Sequence, residues 1–141
     1  YTQQDTLSLH DALPISFSST GKGRVVATPH TVSSVSNAVT LPLATSQQIR
    51  HTTTENTTVT FSGAVAGLEG AIEFVQGGTG YTVTMPTSGA AVEYDATIQG
   101  LGYSSIVDTT ANHRTLLHYR VTDTPSARVY IWHRSVSAVI P

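Results

Sequence analysis

The chain has no cysteine, a single methionine, a single tryptophan and few charges. Only 11 % of its 141 residues are Asp, Glu, Lys or Arg, and the formal net charge is −2. Without cysteine there is no disulfide framework and no thiolate chemistry. A secreted cellular domain of this size often carries disulfides, whereas a particle assembled in a reducing cytosol and exposed afterwards does not. The shortage of basic residues excludes a general polyanion-binding surface, so nucleic acid is not expected as a partner. No apolar run reaches membrane-spanning length, and no membrane insertion is expected. Sustained helical spacing is missing as well.

What is abundant is threonine and serine, together roughly a quarter of the chain. Threonine branches at Cβ and fits a pleated, half-solvated face, so this composition favours strands. Asn56-Thr57-Thr58 matches a glycosylation acceptor, a pattern that chance supplies readily in a Thr-rich chain.

Residues 1–16 have another texture. Asp5 to Ser16 shows no alternation and no turn logic, and at most one helical turn capped by Asp5. The string resembles translated sequencing-adapter DNA at the ends of metagenomic reading frames, so the segment is expected to be non-native or disordered. It lacks the basic start and long apolar stretch of a signal peptide. Residues 17–36 read as linker and edge strand, with Arg24 to Thr28 a first short strand ended by Pro29 and His30 to Ser36 a linker or weak edge strand.

Residues 37–141 carry the main domain. Val39, Leu41 and Leu43 alternate with Thr40 and Pro42, and the proline confines that strand to an edge or a bulge. Ile49 and His51 share a face in the next segment; Thr57, Val59 and Phe61 share one in the third. Ala71 to Gln76 reads as a strand turned by Gly77-Gly78-Thr79-Gly80 into a return strand, Tyr81 to Met85. Ala91 to Tyr94 and Thr97 to Val107 read as further strands, and His113 to Thr122 with Ala127 to Ser135 as the closing hairpin. Strands at about eight- to twelve-residue spacing with turn signals between them predict an all-β, antiparallel β-sandwich or jelly-roll-like fold.

The order of segments from Asn37 carries a resemblance. A strand pair precedes Asn56-Thr57-Thr58-Val59-Thr60-Phe61-Ser62, then Gly67-Leu68-Glu69-Gly70, then Gln76-Gly77-Gly78-Thr79-Gly80-Tyr81-Thr82-Val83-Thr84-Met85-Pro86, then Thr109-Thr110-Ala111-Asn112 and Leu116-Leu117-His118-Tyr119. This resembles the β-rich distal module of bacteriophage tail fibres and related virion structural proteins, over roughly three quarters of the chain. The segment after Pro86 often carries a tryptophan in such modules; Met85 to Val92 carries none, so no role for that loop is transferred. The resemblance implies a homotrimer exposed on an extracellular virion, assembled in the host cytoplasm, with a structural or receptor-engaging task and no catalytic residues. The alternative reading is a carbohydrate-binding module of a secreted bacterial protein.

One constellation stands out. Pairing the closing hairpin with Val121 opposite Ala127 collects Leu117, Tyr119, Val121, Ala127, Val129 and Ile131 on a core face. The other face then holds Arg114, Leu116, His118 and Arg120 against Arg128, Tyr130, Trp132 and Arg134, which gathers four of the seven basic residues beside the sole tryptophan. Aromatic rings offer flat apolar surface to the C–H faces of sugars, and arginines offer forked donors. Arg114, His118, Arg120, Arg128, Tyr130, Trp132 and Arg134 are therefore the candidate face, for host-surface polysaccharide or for a subunit interface.

Other signals point nowhere specific. The six histidines show no metal-ligand spacing, and no metal or cofactor is expected. Glu93 and Asp95 match the two carboxylates of glycoside cleavage, but that spacing occurs on any solvated strand. No Ser or His sits in a nucleophile-elbow context, and no enzyme activity is expected.

Overall fold

The computed structural model describes residues 28–123 and 126–139. The adapter-like segment and nearly all of the strand expected over Arg24 to Thr28 lie outside these residues. Regular structure among the described residues is almost entirely strand. Strands β1 (His30–Val32), β2 (Ala38–Pro42), β3 (Gln48–Thr53), β4 (Thr57–Ser62), β5 (Glu69–Gln76) and β6 (Val83–Thr84) come first. Strand β7 (Val92–Tyr94), the short helix α1 (Ala96–Gln99) and the long strands β8 (His113–Thr122) and β9 (Arg128–Ala138) follow.

Two sheets result. The larger runs β1-β3-β5-β8-β9-β7 and the smaller β2-β4-β6. From β1 to β6 the chain alternates between them, laying each strand parallel to the one a full turn earlier. A turn of this coil takes about 20 to 25 residues, the length that stacked-repeat architectures use to bury a face no single repeat could bury alone. Val39, Leu41, Val59 and Val83 from the small sheet meet Ile49, Ile72, Phe74, Leu117, Tyr119 and Ile131 from the large one in one core.

The all-β expectation holds; the antiparallel one holds only for β5–β8 and β8–β9. Five other pairings are parallel, including β7 beside β9. The reason is connectivity. From β1 to β6 consecutive strands belong to opposite sheets, so a reversal of direction between neighbours in sequence restores the same direction two strands later; β7 and β9 run parallel because β8, antiparallel to β9, lies between them in the chain. Hence the Gly77 to Gly80 segment is no hairpin: β6 leaves β5 and joins β4 instead. The strand expected over Thr97 to Val107 is also replaced. Asp95 caps α1 by accepting from the Thr97 N–H at 2.9 Å, and a run of turns then buries Ile106 and Val107.

Two polar anchors hold the coil. His51 is fully buried, edge-on to Phe74, and its Nδ1–H donates to the Val32 carbonyl at 2.8 Å, tying edge strand β1 down. Gln76 is 2 % exposed and uses its whole amide. Its Oε1 accepts from Thr53 Oγ1 at 2.5 Å and from the Tyr81 N–H at 3.0 Å. Its Nε2 donates to the carbonyls of Tyr81 at 2.9 Å and Asp108 at 2.8 Å. Two long connections are thereby fastened to the end of β5. Where they touch, a Cβ on Gly80 would lie 1.8 Å from the Thr109 carbonyl oxygen, so only glycine fits.

Candidate functional site

The outward face of the large sheet is built by the alternate residues of β5, β8 and β9. Glu69 pairs with Arg120, Ala71 with His118 and Glu73 with Leu116 across β5–β8. Across β8–β9, Val121 pairs with Val129, Arg120 with Tyr130 and Tyr119 with Ile131. The hairpin register is thus displaced by two residues from the sequence expectation. A shift of two keeps every side chain on its face, and Leu117, Tyr119, Val121, Val129 and Ile131 are buried as expected, while Ala127, left before the start of β9 by that shift, is exposed.

Beyond Ile131 the ladder slips, because His118 pairs with His133 while Tyr119 pairs with Ile131. Trp132 is the additional residue of a β-bulge. It projects 50 % exposed, where a regular ladder would have continued strict alternation. Its ring lies 5.5 Å from that of His118 and 5.8 Å from that of His133, and the two imidazoles are 5.4 Å apart. Beside them the Arg120 guanidinium sits over the Tyr130 ring, 5.2 Å from its centroid, a cation–π contact.

The bulge also removes one expected member. Arg134 pairs with Leu117, in the inward row, and its Nε donates to the carbonyl of Ile106, pinning the turns after α1. Arg114 stays on the outer face but four residues from His118, about 13 Å along the strand. There it shares Glu73 with Arg50: Arg50 Nε lies 2.6 Å from Oε2 and Arg114 Nη1 3.3 Å from Oε1. Arg128 is held by Glu93 at 3.1 Å. Of the seven expected residues, His118, Arg120, Tyr130 and Trp132 form one contiguous cluster, Arg128 borders it, and Arg114 and Arg134 serve elsewhere.

Three residues absent from the expectation complete the cluster: His133, Glu69 and Gln48. A depression of about 450 Å³ runs beside Trp132, lined by Gln47, Gln48, Glu69, Gly70, His118 and Tyr119. A second, of about 350 Å³, adjoins it between Glu69, Arg120, Tyr130 and Trp132. The Tyr119 side chain itself turns into the core, where its hydroxyl is buried and has no hydrogen-bond partner. Burial pushes its pKa up, which keeps it a neutral donor.

Among the described residues no group of three or more His, Cys, Asp or Glu side chains could hold a metal ion. No helix there is long and apolar enough to cross a membrane. Glu93 and Asp95 are engaged by Arg128 and the Thr97 N–H. Comparison with family models, curated proteins and solved structures gave no match.

Proposed function

We propose that this chain is a virion-associated structural module of a phage tail fibre, homotrimeric, whose outer β5–β8–β9 face contacts host-surface glycans. The segment order from Asn37 to Tyr119 supports the tail-fibre part. In that reading the two facing sheets act as a rigid, sandwich-like platform, and the particle assembles in the host cytoplasm before meeting its receptor outside.

The observation that carries the adhesive part is Trp132. A half-exposed tryptophan, lifted out of the ladder by a bulge and bracketed by His118 and His133, leaves large apolar surface in water at a cost. Sugar C–H faces would recover that surface, and the neighbouring His118, Glu69 and Gln48 would take the hydroxyls.

Glycan-array binding and light scattering on the chain and its Trp132→Ala variant test the proposal. A trimer that binds glycans as wild type and stays trimeric without binding as the variant supports it. Loss of the trimer in the variant would make the face a subunit interface instead.

A further inference from the structure

We infer that His118 and His133 form a two-imidazole site for a zinc ion, created by the bulge at Trp132.

A regular ladder would set Trp132 opposite His118 and turn His133 inward. The bulge moves the register by one residue. His133 thereby becomes the direct cross-strand partner of His118, and both side chains leave the sheet on its outer face. Directly paired residues hold their Cβ atoms about 4.5–5.5 Å apart, a span that one ion between two imidazoles can bridge. The two rings stand 5.4 Å apart, tilted by 55°. A tetrahedral zinc about 2.0–2.1 Å from one nitrogen of each ring sets the ring centres about 5 Å apart, so a small side-chain rotation closes the pair on it.

Both rings are available. His51 and His113 spend a ring nitrogen on the Val32 carbonyl and the Asp108 carboxylate. Among the described residues no hydrogen bond engages His118 or His133. His133 is exposed and His118 half-buried, so an ion reaches them from water. Each opens on a depression holding one carboxylate. His118 shares its depression with Glu69, and His133 shares one of about 300 Å³ with Asp95 and Arg134. The neighbouring arginines are committed, Arg134 to the Ile106 carbonyl and Arg120 to the Tyr130 ring.

Imidazole ligates zinc, copper and nickel alike, and the tetrahedral spacing favours zinc. No third His, Cys, Asp or Glu joins the pair among the described residues. The remaining coordination positions therefore stay open to water or to a donor from outside the chain. An ion held here also ties β8 to β9 at the step where their ladder slips. The site does not rest on the glycan reading, because the ion needs no sugar.

Titration calorimetry of the full chain with zinc chloride, in a buffer that does not chelate metals, tests it. One ion per chain should bind, saturating below about 1 mM. Cupric chloride, a fluorescence quencher, should saturably quench Trp132, whose ring lies 5.5 and 5.8 Å from the two imidazoles. His118→Ala and His133→Ala should each weaken zinc at least about tenfold and remove the quenching, while His30→Ala changes neither. Saturating zinc should raise the melting temperature of the wild-type and His30→Ala chains alone. Both positions open to solvent, so the far-ultraviolet circular dichroism of the variants should match wild type. No saturable zinc binding up to about 1 mM overturns the inference, and so does binding that both His118→Ala and His133→Ala retain.

Discussion

Replacing Gln76 should cost as much stability as emptying a buried leucine or methionine position. Its amide closes four hydrogen bonds, to Thr53 Oγ1, the Tyr81 N–H and the carbonyls of Tyr81 and Asp108. Gln76→Ala leaves all four partners without it. A buried polar group left unpaired costs about 1–3 kcal/mol. Tyr81 and Asp108 are only half-buried, so water can rescue part of the set. Counting two of the four groups as lost gives about 2–6 kcal/mol, a large share of the roughly 5–15 kcal/mol that stabilises a typical domain. Gln76→Glu adds a sign that alanine cannot. Its carboxylate would face two carbonyls in a buried site, so its folded pKa is raised above the unfolded value of about 4.3. The stability of that variant is then fullest below about pH 4.3 and is lost as pH rises toward neutrality. Urea unfolding followed by far-ultraviolet circular dichroism, at pH 4 and pH 7, reads both effects. A Gln76→Ala loss below about 1 kcal/mol, or a Gln76→Glu variant more stable at neutral pH than at acid pH, would refute the reasoning.

Four further outcomes follow from the same structure. Gly80→Ala, which drives a methyl into the Thr109 carbonyl, should destabilise by about 3 kcal/mol or more in the same unfolding assay. Ser36 and Asn37 both have positive φ, 52° and 62°, between Val35 and Ala38, which exchange N–H···O bonds at 2.8 and 3.2 Å. Asn37→Gly should therefore raise stability by about 0.5–1 kcal/mol, seen as a higher urea midpoint. At Asp108, burial would push the carboxyl up, but hydrogen bonds from the Thr110 backbone and hydroxyl and from His113 outweigh it and hold the pKa low. The stability from that depressed carboxyl is present above its unfolded pKa of about 3.9 and lost as pH falls through the folded value, so Asp108→Asn should flatten the acid limb of the urea midpoint below about pH 4. Trp132→Ala, at a half-exposed position, should shift stability by under about 1 kcal/mol while abolishing sugar binding.

Alternation was legible in the sequence, but direction was not. Val39, Leu41, Ile49, Val59, Leu117 and Val129 lie in the core as their spacing indicates, because a strand's side-chain period is two whatever its neighbour does. Whether a neighbour runs parallel depends on which sheet the next strand enters, and a short connection such as that between β2 and β3 carries no mark of that choice. The Gln76 motif reads as a turn in sequence. Its physical role, two loops fastened by one amide, needs Thr53 and Asp108, which lie 23 and 32 residues away. The site was half legible. Tyr130, Trp132, Arg120 and His118 fall together because a two-residue register shift preserves faces, whereas Arg134 and His133 exchanged places through a bulge that no glycine or proline announces. Glu69 and Gln48 enter from strands that only the β3–β5–β8 order brings alongside.

The single tryptophan makes the central claim directly measurable, since all indole fluorescence of the chain arises at Trp132. Titrating the glycans that bind on the array into the protein should change that emission in a saturable way, with a shift to shorter wavelength as a sugar face covers the ring. Emission that stays constant across the titration, while the same sugars bind by calorimetry, would place recognition elsewhere on the molecule and contradict the account.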